Sequence, residues 1–267
     1  MKTQIKLYEK IKEVAEFFSK QLKFDKYENK LGRKLALKIN ETISLAVFKQ
    51  KNNIATKRAL HEIFKPNCSY KTLAVNLNRW AFLAAIVLIL LMKINRNNSH
   101  AIKHIDSTDI PVCSFKNANS HKTMKGLAQF GRNSKGTFFG LKLHLITDLK
   151  RKILSIKFTG GNVDDRKVVI RLSEGLNGIF MADAGYVSKK LSSEFYREKK
   201  RVLLVKPRAN MKKIMTEFED KLYQTRMLIE LNFRSLKMFY GLVASLPRSA
   251  GGYLANYIYS LLAYQII

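Results

Sequence analysis

Carboxylates are scarce in this chain. Its 267 residues include 20 Asp plus Glu against 49 Lys plus Arg, a formal net charge of +29. A fold with that excess repels itself and attracts polyanions. Nucleic acid is the favoured partner, with binding that weakens steeply as salt rises, because phosphate contacts release counterions. An anionic membrane surface is the competing polyanion. No Asp or Glu occurs between Glu62 and Asp106. Each carboxylate that remains therefore needs a reason: a cap or an ion pair for most, a ligand for some.

Cysteine is also rare. Cys68 and Cys113 stand far apart, in no metal-ligand spacing. That excludes a disulfide framework and a structural zinc, and fits a reducing compartment. Long apolar runs are missing too. Trp80–Met92, WAFLAAIVLILLM, has 13 residues, short of the about 20 that span a bilayer. It reads as a buried helix. The N-terminus, MKTQIKLYEKIKEVAEFF, is a charged amphipathic helix without the apolar core of a signal peptide. The expected place is the cytoplasm, associated with the nucleoid, with no membrane partner. Hydrophobic residues make up 46%, enough for one or two ordinary cores.

Residues 1–99 read as helical, with segments near 1–18, 33–50, 53–64 and 70–94. Their basic faces suit a DNA-binding helical region. Asn95–Ser99, NRNNS, reads as a polar linker. The pattern then changes. Ile102 begins a short strand ending at Pro111, and Lys116–Lys135 reads as a loop. Gly136–Thr147 and Ile153–Thr159 alternate as strands. Asp164 or Asp165 caps a helix near 165–176. GIFMA at 178–182 is a buried strand that delivers Asp183, Ser188 caps a helix to about 200, and Arg201–Val205 is another buried strand. A long helix follows, then a break near Pro247 and a last apolar helix. Two hairpin-joined strands followed by strands alternating with helices imply a mixed α/β sheet with helices on its faces. The division expected is 1–99 and 100–267.

Within the long helix, YQTRMLIELNFRSLK at 223–237 has no Gly or Pro. At helical spacing, Tyr223, Arg226, Glu230, Arg234 and Lys237 share one narrow face. Such a face is either a solvated surface with spaced ion pairs or a carboxylate held among cations for phosphate chemistry. Asp106 on one strand and Asp183 at the end of another are potential partners for Glu230, since a carboxylate on an apolar strand is costly unless paired or bound to metal. Singly, each Asp is explained by a turn or cap. Together the three offer hard oxygen ligands suited to Mg²⁺ or Mn²⁺. Two such ions can serve phosphodiester chemistry. Asp109 competes with Asp106 for the first place. His144 reads as a satisfied sheet histidine that also faces potential DNA.

The ordered segments HIDSTDIPVC, GTFFGLKLHLITD, TGGNVDDR, ADAGYVSKK and YQTRMLIELNFRSLK resemble the DDE transposases of bacterial insertion sequences. The resemblance covers about residues 100–267. It implies an RNase H-like catalytic core preceded by a small all-α region. It implies Asp106, Asp183 and Glu230 as the catalytic, metal-holding triad for two Mg²⁺ ions. Tyr223, Arg226, Glu230 and Lys237 match the Y-x2-R-x3-E-x6-K signature, which assigns Tyr223, Arg226 and Lys237 to phosphates of the element's end. It further implies strand cleavage at terminal inverted repeats, strand transfer into target DNA, and a homodimer on DNA. The family's usual GDKGY is ADAGY here, so Ala184 replaces a lysine that would touch phosphate. The 46 residues between Asp183 and Glu230 leave no room for a large insertion. The alternatives are an RNase H-like nuclease that does not join strands, and an inactive DNA-binding remnant.

Overall fold

Apolar residues at helical spacing with lysines between them build α1 (Lys2–Gln21), and α2 (Ile39–Lys51), α3 (Lys57–Phe64), α4 (Tyr70–Arg79) and the largely apolar α5 (Ala81–Asn97) follow. The structure is a computed structural model and describes residues 2–28, 34–134, 136–199, 201–207, 211, 214–243 and 247–266. They form two compact units, Met1–Leu91 with Ser235–Ile267, and Met92–Arg234. These units cut the chain differently from 1–99 and 100–267, because the C-terminal helix α10 (Ala250–Gln265) packs with the N-terminal ones.

In the first unit, α2 is buried almost throughout, from Thr42 to Gln50. Ile11, Phe18, Leu60, Leu73, Leu83 and Leu262 join it in the core. Thr56 Oγ1 accepts from the Ala59 N–H at the start of α3, and Ser249 Oγ accepts from the Gly252 N–H at the start of α10. Gln50 Nε2 donates to Asn256 Oδ1 at 2.7 Å, tying α2 to α10. The single helix expected over 70–94 is two helices, α4 and α5, bent by 42° at Trp80. The helix expected from 33 begins at Ile39, and position 33 lies outside the described residues. Among the described residues no single helix is long and apolar enough to cross a membrane, and α4 with α5 pass only as a bent pair.

Lys49 is 8% exposed. Burial, with Lys57 adding to it, lowers its pKa to about 8. A lysine whose folded pKa is depressed costs stability while protonated, and the cost disappears as pH rises from about 8 towards its ordinary value. Lys49→Met is therefore expected to stabilise the unit by roughly 1–3 kcal/mol at pH 7. Denaturant unfolding should show that gain shrinking at pH 9.5; a pH-independent gain would refute the cause.

The second unit is built on a six-stranded mixed sheet: β1 (Ile102–Pro111), β2 (Gln129–Asn133), β3 (Gly136–Asp148), β4 (Ile153–Gly160), β5 (Ile179–Ala182) and β6 (Val202–Val205). β1 pairs antiparallel with β3 and parallel with β5, while β4 pairs with β3 and β6 with β5. The resulting order, β4-β3-β1-β5-β6, is the RNase H-like arrangement. The strand β2, expected as loop, pairs with the first residues of β3, Phe130 opposite Phe139. Helices α6 (Arg166–Leu172) and α7 (Lys189–Lys199) follow β4 and β5. Val168, Val169, Leu172, Leu191 and Phe195 pack with Ile105, Ile146, Leu154 and Phe180 in one buried cluster.

The expected long helix is α8 (Glu217–Gln224) and α9 (Met227–Met238), separated at Thr225–Arg226. The NRNNS segment is not a free linker. It extends α5 to Asn97, and Arg96 Nε donates to Leu154 O at 2.6 Å while Nη2 donates to Ser155 Oγ at 2.9 Å. Asn95 Nδ2 donates to Ile153 O at 3.1 Å. Of the polar side chains that suggested a linker, Asn95 and Arg96 are spent on β4, and Asn98 and Ser99 bond carbonyls of α5.

Candidate active site

β1 places the first carboxylate. Ile105 joins the cluster under α6 and α7, so its neighbours His104 and Asp106 face the other side of the sheet. There His104 Nε2 meets Thr225 Oγ1 at 2.9 Å and Asp106 Oδ2 meets Arg226 Nη2 at 2.9 Å. Asp109 is three residues on from Asp106, opposite Lys142 of β3. Alternation turns it to the face away from Arg226.

β5 is a short buried strand of which Ala182 is the last residue, so the chain leaves the sheet at Asp183. A 3-10 turn, Ala184–Tyr186, starts there, and the Gly185 N–H donates to Asp183 Oδ1. A Cβ on Gly185 would sit 2.9 Å from that oxygen. The other oxygen, Oδ2, lies 4.0 Å from Arg226 Nη2.

The break between α8 and α9 delivers the third carboxylate and the cation. Thr225 Oγ1 donates to Leu222 O at 2.6 Å, so the His104 imidazole must donate through Nε2. The Arg226 N–H bonds Tyr223 O and the Ile229 N–H bonds Arg226 O, a tight turn in place of the helical ladder. Arg226 Nη1 then reaches Glu230 Oε1 at 2.5 Å, one turn into α9. The Arg151 Nε, on the β3–β4 turn, donates to Asn232 Oδ1 at 2.7 Å and fixes α9 to the sheet.

Asp106, Asp183 and Glu230, from two strands and a helix, thus converge on one guanidinium. Arg226 and Asp106 are 15% and 16% exposed, while Asp183 and Glu230 are 45% and 59% exposed. Burial pushes the Asp106 carboxyl up to about 7, with Arg226 and the Ser107 N–H opposing. Arg226 is held charged: burial opposes, but Asp106 and Glu230 outweigh it. Its Nε is buried without a partner. Tyr223, on the last turn of α8, has its pKa raised by burial, and Lys206 Nζ lies 5.8 Å from its ring centroid. Lys237 lies on α9 about two turns beyond Glu230. The shared helix face expected for Tyr223, Arg226 and Glu230 is in fact three positions across a break.

Sequence reading missed three contributors. Thr225 and His104 pin the break, and nothing in either residue type announces that. Tyr186 is 3% exposed, and burial followed by Asp106, Asp165 and Asp183 raises its pKa well above the ordinary value. Asp165 makes no cap bond. It turns to Lys142 Nζ at 3.0 Å and His144 Nδ1 at 3.8 Å. Asp164 takes the capping place, accepting from the Arg166 N–H at 2.9 Å. His144, 1% exposed, is satisfied by Thr159 Oγ1 at 2.8 Å.

A family model described as "Transposase DDE domain" matches residues 96–249. The chain belongs to the DDE transposase family. A solved structure similar to this transposase is a cryo-EM structure of the piggyBac transposase synaptic complex with hairpin DNA. The TM-score is 0.56 at 11% identity, covering 97% of this chain and 70% of that one. No curated protein matches by sequence. The family's enzymes cleave DNA and transfer strands, and they use divalent metal ions.

The residues present fit such ions in chemistry. Three carboxylates of hard oxygen converge here on a cation, Arg226. In this conformation no three Asp, Glu, His or Cys side chains among the described residues stand close enough to share one ion, and the guanidinium pairs with the carboxylates instead.

Proposed function

We propose that this DDE transposase serves a bacterial insertion sequence: it binds terminal inverted repeats, cuts the strand at the element's end and transfers that end into target DNA. The observation that carries the reading is the convergence of Asp106, Asp183 and Glu230 on Arg226, in the order the resemblance requires. Asp106, Asp183 and Glu230 are the ligands for two Mg²⁺ ions, with Mn²⁺ as a substitute. When bound there, the ions supply Lewis-acid stabilisation to the attacking and leaving oxygens. Asp106 is the most enclosed of the three and must be ionised to serve. The Gly185 N–H holds one Asp183 oxygen and leaves the other turned towards the cluster.

Tyr223, Arg226 and Lys237 take the phosphates of the element's end. Such contacts set the register of the DNA and do not choose its sequence. The net charge of +29 supplies the general attraction to DNA, and the helices of 1–99 add a basic DNA-binding surface. The complex of the similar piggyBac fold holds hairpin DNA, which supports DNA as the partner. Two ends must be handled together, so a homodimer forms on DNA, at the nucleoid in the cytoplasm. Arg226→Ala is expected to weaken end binding and reduce the slope of log Kd against log salt by about 1. An unchanged slope would remove Arg226 from the phosphate contacts.

The deciding experiment is Mg²⁺-dependent cleavage of the element's own terminal duplex by the unaltered chain beside Asp183→Ala. Cleavage by the first and not the second is expected. A pre-cut end then tests joining. Cleavage without joining would reduce the chain to a nuclease, and binding without cleavage to an inactive remnant.

A further inference from the structure

Arg226 reaches all three of these carboxylates. Its Nη2 lies 2.9 Å from Asp106 Oδ2 and 4.0 Å from Asp183 Oδ2, and its Nη1 lies 2.5 Å from Glu230 Oε1. We propose that Arg226 is an internal counter-ion that holds the place of a divalent cation among these carboxylates and leaves for a DNA phosphate as metal loads. This rests on the assignment of Asp106, Asp183 and Glu230 as metal ligands.

The argument is one of charge and tethering. Three carboxylates close together repel one another, and Arg226 offsets part of that repulsion. One divalent ion beside Arg226 brings the four groups to neutrality. A second adds like charge beside the guanidinium, whose pair with Asp106 is only 15% and 16% exposed and so weakly screened by water. The guanidinium then gains by leaving. A phosphate offers it the same two-pronged geometry as a carboxylate. Only the side chain has to move. The backbone is fixed by the Arg226 N–H to Tyr223 O at 2.9 Å, the Ile229 N–H to Arg226 O at 3.1 Å and the His104–Thr225 bond beside it. The side chain is held through Nη1 and Nη2, while Nε is buried without a partner. Arg226 thereby links the two ligands: metal releases it to DNA, and DNA that takes it opens the carboxylates to metal. Such coupling is reciprocal in free energy.

The test is Mn²⁺ binding to the full chain without DNA, read from the electron paramagnetic signal of free Mn²⁺. Arg226→Gln should bind Mn²⁺ about tenfold more tightly than the unaltered chain, and Arg226→Lys should resemble the unaltered chain. Equal or weaker binding by a folded Arg226→Gln overturns the proposal. Asp183→Asn separates the two ideas. If it leaves Mn²⁺ binding unchanged, the metal assignment itself fails, whatever Arg226 does. If it weakens binding and Arg226→Gln does not strengthen it, only the counter-ion role fails. Should Arg226→Gln not melt cooperatively, the Arg226 Nε–H resonance of the unaltered chain, assigned by its loss in Arg226→Lys, decides. It should shift across a Mg²⁺ titration, and a stationary resonance overturns the proposal.

Discussion

Glu230→Ala is expected to lower Mg²⁺-dependent strand cleavage by roughly three orders of magnitude, about 4 kcal/mol of transition-state stabilisation, while the protein still folds and still binds end DNA. The separation of these effects follows from where Glu230 sits. It is 59% exposed on α9, and alanine is the best helix former, so the helix loses little. The neighbouring Ile229, which is buried, and Asn232, which bonds Arg151, keep α9 against the sheet. Arg226 retains Asp106 as a partner, and one carboxylate fewer makes the surface more basic, so DNA binding should hold or tighten. On the proposed assignment the chemistry has no such reserve, because the two metal ions would draw on all three carboxylates. Gel cleavage of an end-bearing duplex, run beside a mobility-shift measurement, checks both halves. Cleavage within tenfold of the unaltered chain would remove Glu230 from the site.

The strands and the carboxylates were legible for a physical reason. Alternation on 136–147 and 153–159 follows from one buried face. An aspartate at the end of GIFMA stands out because such strands seldom hold a charge. Between Asp106 and Asp109, alternation chooses only once Ile105 is known to face α6, which is tertiary information. The break at Thr225–Arg226 was not legible. Neither Thr nor Arg stops a helix by itself, and the turn is held by His104, 121 positions away. β2 was missed because its QFGRN is polar and pairs only with the start of β3. NRNNS misled because a polar stretch looks the same whether its groups meet water or the backbone of β4. Asp165 misled in the same way: residue type suggested a cap, and only the fold brings Lys142 to it. What went unread in each case was a partner distant in sequence.

Gly178→Ala is expected to be among the most damaging single methyl additions in the sheet. Gly178 has φ +99°, and a Cβ there would lie 2.1 Å from Ala101 O and 3.0 Å from Ala101 C. That carbonyl cannot yield, since it accepts the Ile179 N–H at 3.0 Å in the first bond joining β5 to β1. Gly178 O in turn accepts the Val202 N–H at 3.0 Å, beginning the β5–β6 pairing. The backbone strain and the collision add to roughly 3–5 kcal/mol, a large share of the 5–15 kcal/mol typical of a folded protein. Gly126 is the control: its φ is +85°, but nothing lies within 4 Å of its Cβ position, so Gly126→Ala should cost only about 1 kcal/mol. Denaturant unfolding of both variants checks the difference, and similar losses would show that the collision is relieved at no cost. The consequence reaches the site, because the β1–β5 pairing sets Asp183 beside Asp106. In whatever fraction of Gly178→Ala still folds, the carboxylates should be out of register and Mn²⁺ binding should fall with cleavage. A folded fraction that binds Mn²⁺ like the unaltered chain would mean that Ala101 and Gly178 do not govern that register.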